Sequence, residues 1–158
     1  KERWPALKQE YPDVRLHFIG HLQTNKVKEA VALFDVIETV DSAKLAAALA
    51  DEMKKQGRNL PCFIQVNTGE EPQKGGIIPS DLPALLDQCK KLGLNITGLM
   101  CIPPENEPPA LHFALLKKLA ARHGLKDLSM GMSADFEKAI PLGASYIRVG
   151  TALFGERL

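Results

Sequence analysis

A strict alternation of short apolar runs with helical stretches most limits what this chain can become. The runs Leu16–Ile19, Val36–Val40, Cys62–Val66, Thr97–Met100, Leu128–Met130 and Tyr146–Val149 read as strands. Helices are predicted over Lys26–Leu33, Ala43–Gln56, Leu82–Leu92, Leu111–His123 and Ala134–Ile140. Glu2–Tyr11 reads as the end of a further helix, stopped by Pro12 and Asp13. Thr24, Ser42 with Asp41, Ser80 and Ser133 stand where N-caps belong, and Gly124 stands where a helix should stop. Such an order means parallel strands with helices packed outside them.

Two architectures share that pattern, an open doubly wound sheet and a barrel. An open dinucleotide fold carries G-x-G-x-x-G in its first βα turn, and no such run is present. Polar residues gather instead in the loops that follow the strands: His21 and Gln23, Asp41 and Ser42, Asn67 and Thr68, Ser133, Thr151. That distribution favours a (β/α)₈ TIM-type barrel. A barrel of this type needs eight strands, so the fold is expected to be incomplete, with about six βα units standing as strands three to eight. The chain also opens at Lys1 inside helical sequence, without methionine. It reads as a piece of a longer protein, lacking two units or on the order of 70 residues.

The last stretch, Leu128 to Gly155, carries the chemistry. The loop around Gly131, Met132 and Ser133 follows the penultimate strand, and Gly150 with Thr151 opens a turn of helix at Ala152–Phe154 after the last one. Each loop delivers backbone amides at a helix start, which favours a phosphate. The loops after the last two strands are where phosphate-binding barrels hold it. Arg148 lies within the final strand, where a permanent cation needs a carboxylate or a ring nitrogen as partner.

Bulk properties exclude several classes. With 25% charged residues and a net charge of +1, no extended nucleic-acid surface is expected. No apolar run reaches membrane-spanning length and no signal-peptide pattern opens the chain. Cys62, Cys89 and Cys101 lack metal-ligand spacing, and two of them fall in strands as buried thiols. An odd cysteine count suits a reducing cytoplasm. His17 and His21 do not share a helix face and lack the glutamate of a zincin motif, so no metal is expected. His112 and His123 read as solvated helix residues.

The segments LHFIGHLQTNKVK at residues 16–28, QVN ending at Asn67, GLMCIPP at 98–104, LSMGMSADFEKAI at 128–140 and IRVGTALFG at 147–155 resemble the pyridoxal phosphate homeostasis proteins. These are single-domain relatives of the alanine racemase barrel domain. The resemblance covers essentially the whole chain and implies one barrel domain over residues 1–158 that binds pyridoxal 5′-phosphate (PLP). It implies that Ser133 and Met132 belong to the first phosphate loop, and Gly150 and Thr151 to the second. It implies that Arg148 faces the pyridine nitrogen, which weakens the electron sink of the ring. Asn67, Met100 and His21 match strand ends that face the cofactor. On the residues alone, His21 also fits a loop histidine with local partners, and Lys74 fits either a substrate-side cation or a surface lysine. The family's Schiff-base lysine lies on a first strand that this sequence does not contain, and no lysine here matches it. No catalytic residue is therefore assigned.

Three functions compete at this level. One is a cofactor-binding and delivery protein, handing PLP to apo-enzymes in the cytoplasm without a reaction of its own. The second is a PLP-dependent amino-acid racemase, which needs two acid/base groups on opposite faces of the ring. The racemases' tyrosine comes from another domain, and Tyr11 and Tyr146 are the only tyrosines here. The third is a sugar-phosphate barrel enzyme, which would need paired carboxylates or a lysine at strand ends, where Asp41 stands alone. The first reading is preferred.

Overall fold

A computed structural model describes residues 2–155. Lys1 and residues 156–158, part of the expected single domain, lie outside the described residues. Thirteen elements alternate in the order α1 (Trp4–Glu10), β1 (His17–Phe18), α2 (Val27–Leu33), β2 (Val36–Val40), α3 (Ala43–Gln56), β3 (Cys62–Gln65), α4 (Leu82–Lys91), β4 (Ile96–Met100), α5 (Pro109–Arg122), β5 (Asp127–Met132), α6 (Phe136–Ala139), β6 (Tyr146–Arg148) and α7 (Thr151–Phe154), with three short 3-10 turns between. All six strands form one sheet in chain order. Every neighbouring pair is parallel.

The sheet curls back on itself. His17 and Tyr146 stand on the two edge strands, yet their ring centroids are 5.1 Å apart. The expected incomplete barrel is what forms: β1 and β6 are parallel, never paired, and face each other across a gap.

Alternation along each strand divides the core. Cys62 and Ile64 of β3 point outward with Ile37, Leu99 and Met130 into the main cluster beneath the helices, where Leu116 of α5 joins them. Phe63 points inward, where it packs with Val36 and Met100 and touches Tyr146. Burying one such side chain stabilises the fold by roughly 1.5–3 kcal/mol. Gly98 leaves room for this inner packing, since a Cβ there would collide with the Phe63 ring and the Asp127 carbonyl.

Several local expectations need correction. Thr24 does not cap α2; it starts a 3-10 turn, Thr24–Lys26, and α2 has no side-chain cap. Ser80 lies inside the turn Pro79–Asp81, and its hydroxyl donates to Asp81 Oδ1 at 3.4 Å rather than accepting from α4. Gly131 and Met132 extend β5 instead of forming loop. His112 is not solvated: it is buried, bonded at 3.0 Å by Thr68 Oγ1 and at 3.0 Å by Glu107 Oε2.

Candidate functional site

A cleft of about 1210 Å³ lies between the two edge strands. Its size exceeds the ~300–1,000 Å³ of common ligand pockets, because no strand among the described residues fills the gap between β1 and β6. One wall carries Arg15, His17 and Ile19, and the other carries Tyr146 to Thr151. Glu38 forms part of the floor, and the loop after β5 forms one end.

That end is built around Ser133. Its hydroxyl accepts from the Gly150 amide at 3.2 Å and the Ala152 amide at 3.3 Å. The expectation that Ser133 caps its own helix is thus corrected. α6 has Asp135 at its N-cap position, without a side-chain cap bond. Asp135 Oδ1 instead accepts from the Met132 amide at 2.6 Å, which folds the loop so that Ser133 reaches the start of α7. Two amides therefore converge on one oxygen in an exposed cradle. A Cβ on Gly150 would meet nothing within 4 Å, so open space lies against that backbone. An anion fits this donor set: its oxygens take the amides, and the hydroxyl, freed from them, donates.

Arg148 projects inward from β6. Nη1 donates to Ser129 Oγ at 2.7 Å and Nη2 to the Cys101 carbonyl at 2.7 Å. Burial pulls its pKa below the usual arginine value, and nearby Glu38 chiefly opposes that shift. The guanidinium stays charged, as arginine does in proteins. Its direct partners are a hydroxyl and a backbone carbonyl; the nearest carboxylate along this chain of bonds, Glu38, stands one hydroxyl away.

Five of the expected site residues line the cleft together: Met132, Ser133, Arg148, Gly150 and Thr151. Three do not. Asn67 is buried and both ends of its side-chain amide bond Glu71, donating to the carbonyl at 2.8 Å and accepting from the backbone amide at 3.1 Å. Met100 sits in the inner apolar cluster. His21 is exposed on the loop after β1, away from the cleft. Lys74 pairs with Glu71 Oε2 at 2.7 Å and donates to the Pro103 carbonyl at 3.1 Å, also outside it. Sequence reasoning missed His17, Glu38 and Ser129. The available signal was Glu38 itself, a carboxylate in the middle of the apolar run VIETV.

The thiols take no part in this chemistry. Burial pushes Cys62 and Cys101 up to about 12 and Cys89 up to about 11.

The family described as alanine racemase, N-terminal domain, matches residues 5–158. The pyridoxal phosphate homeostasis protein of Pseudomonas aeruginosa is 44% identical over 147 residues, covering 89% of this chain and 64% of its own length. That of Aquifex aeolicus is 39% identical over 166 residues, covering 99% of this chain and 72% of its own. The chain thus spans 64% and 72% of the length of these two relatives. PipY of Synechococcus elongatus PCC7942, solved with PLP bound, superposes with a TM-score of 0.85 at 38% identity, over 95% of this chain and 74% of PipY. An alanine racemase of Clostridium difficile, 13% identical with a TM-score of 0.75 over 99% of this chain and 43% of its own, shares the fold. With the curled parallel sheet and these matches, the chain belongs to the pyridoxal phosphate homeostasis protein family, whose barrel is the alanine racemase N-terminal domain.

Proposed function

We propose that this chain, as a single domain, binds PLP and acts in its homeostasis, holding the cofactor and passing it to apo-enzymes in the cytoplasm. The observation that carries the reading is the convergence of the Gly150 and Ala152 amides on Ser133 at the end of a cleft that also holds Arg148. The names of the relatives and the PLP-bound neighbour support it.

In this reading Ser133, Gly150 and Thr151 hold the phosphate, and Met132 forms the edge of that pocket. Arg148 faces the ring nitrogen and keeps a proton off it, because a cation disfavours a second positive charge nearby. PLP supplies an aldehyde and an electron-withdrawing ring; the arginine weakens the second property. A carrier is served by that restraint, since a strong electron sink would start chemistry on amino acids. Asn67 and Met100 act indirectly, by holding the strand ends that support the cleft, and His21 contributes no contact. No helix among the described residues is long and apolar enough to cross a membrane.

The test is a titration with PLP followed by absorbance and fluorescence, with inorganic phosphate as competitor. Saturable binding that phosphate weakens is the expected result. No saturable binding, or binding indifferent to phosphate, overturns the reading.

A further inference from the structure

Four side chains form one line across the concave face, from edge strand to edge strand. His17 Nδ1 lies 2.6 Å from Glu38 Oε1, Ser129 Oγ donates to Glu38 Oε2 at 2.5 Å, and Arg148 Nη1 donates to Ser129 Oγ at 2.7 Å. Glu38 is 1% exposed and Ser129 is not exposed at all. The directions of these bonds follow from chemistry. A carboxylate only accepts, so the Ser129 proton goes to Glu38, and the lone pairs of the hydroxyl are left for Arg148. His17 holds the other carboxylate oxygen and stops the group from rotating. Arg148, which lines the cleft, is then anchored at both Nη atoms, by Ser129 and by the Cys101 carbonyl.

A buried carboxylate is costly, and an apolar residue of similar size would serve packing as well or better. Glu38 supplies what packing cannot: a charge opposite to that of Arg148 and a fixed hydroxyl direction.

We propose that Glu38 is a positioning residue for Arg148, acting through the Ser129 hydroxyl to fix the tilt of the guanidinium and offset its charge, and so to set how strongly that cation acts on a cofactor in the cleft. The cofactor half of this role rests on the PLP reading; the Arg148 half does not.

The experiment therefore has a ligand-free arm and a PLP arm. In the first, ¹⁵N NMR of the Arg148 side chain is recorded for the parent and for Glu38→Gln. The parent should show resolved, slowly exchanging Nη signals, and the variant should show them averaged by rotation. Ser129→Ala removes the bridge without removing the charge and should give the same averaging; it serves where Glu38→Gln does not fold. In the second arm, Glu38→Gln should weaken PLP binding about tenfold or more and move the absorption band of bound PLP. In an Arg148→Gln background the same substitution should change neither. Unchanged Arg148 signals in both variants overturn the positioning role, whatever PLP does. A binding loss that persists in the Arg148→Gln background also overturns it, since Glu38 would then act through the fold. A parent that binds no PLP, with signals that do respond, overturns the functional reading and leaves the link between Glu38 and Arg148 standing.

Discussion

Gly131, near the end of β5, and Gly150, whose amide donates to Ser133, should respond to substitution in opposite ways. At Gly131 φ is +95°, and a Cβ would stand 2.7 Å from Ala139 Cβ and 2.9 Å from Phe136 Cα. Gly131→Ala combines left-handed strain of about 1–2 kcal/mol with overpacking of about 1–3 kcal/mol, so a loss of roughly 2–5 kcal/mol is expected in urea unfolding. At Gly150 φ is −120° and the space is open. Gly150→Leu should leave the urea midpoint within error of the parent. It should abolish phosphate competition against PLP, because the side chain fills the cradle. A Gly150→Leu protein that binds phosphate as well as the parent would mean the anion sits elsewhere. In the sequence the two glycines stand alike, each in a loop expected after one of the last two strands. Which glycine is packed and which faces open space depends on neighbours such as Ala139, brought in by tertiary packing.

At the scale of elements, legibility followed the reach of the interactions. β2 and α3 have the predicted bounds, Val36–Val40 and Ala43–Gln56. Their signals are local: Ser42 Oγ accepts from the Leu45 amide at 3.2 Å, and Gly57 ends α3 at φ +63°. Ser42→Ala should cost about 1 kcal/mol in thermal or urea unfolding, as caps do. Ser133 looks the same in sequence, but its partners are 17 and 19 residues away. No local rule separates the two cases. Glu38 failed for a related reason: its partners lie on β1 and β5, and a strand pattern cannot reveal which inward residues meet across a curled sheet. The predicted strand thiols are buried, and this has a pH consequence. In unfolded chains a thiol titrates near about 8.5, while Cys62 and Cys101 are held up to about 12. The folded pKa is the higher one, so the contribution is complete below about pH 8.5 and is lost as pH rises toward 12. The urea midpoint should fall above about pH 9, and Cys62→Ala should flatten that fall. At pH 8 a thiol reagent should modify none of the three cysteines in the native protein and all three in urea.

For the whole molecule, the gap between β1 and β6 decides how a cofactor can be held. The barrel was legible from strand alternation, and the approach of the Ser133 loop to the Gly150 loop from their places after consecutive strands. The openness of the cleft follows from six strands curling as part of an eight-strand architecture. Among the described residues no lysine lines this cleft, and Lys74 is tied to Glu71 and the Pro103 carbonyl outside it. On the proposed reading, binding in this chain would then rest on the Ser133 and Gly150 loops and Arg148. A phosphate held by a few charge-assisted hydrogen bonds gains about 1.5–3 kcal/mol from each, before the loss of translational and rotational freedom is subtracted. The surplus is small, so PLP should dissociate during gel filtration. Borohydride reduction in the presence of PLP, followed by peptide mass mapping, should give scattered and sub-stoichiometric labelling of surface lysines. A single stoichiometric adduct would require a lysine to reach the cleft, with Lys74 the one to watch. Its ion pair would have to break and its loop to move by more than side-chain rotation. That result would replace the noncovalent description of the site with a covalent one.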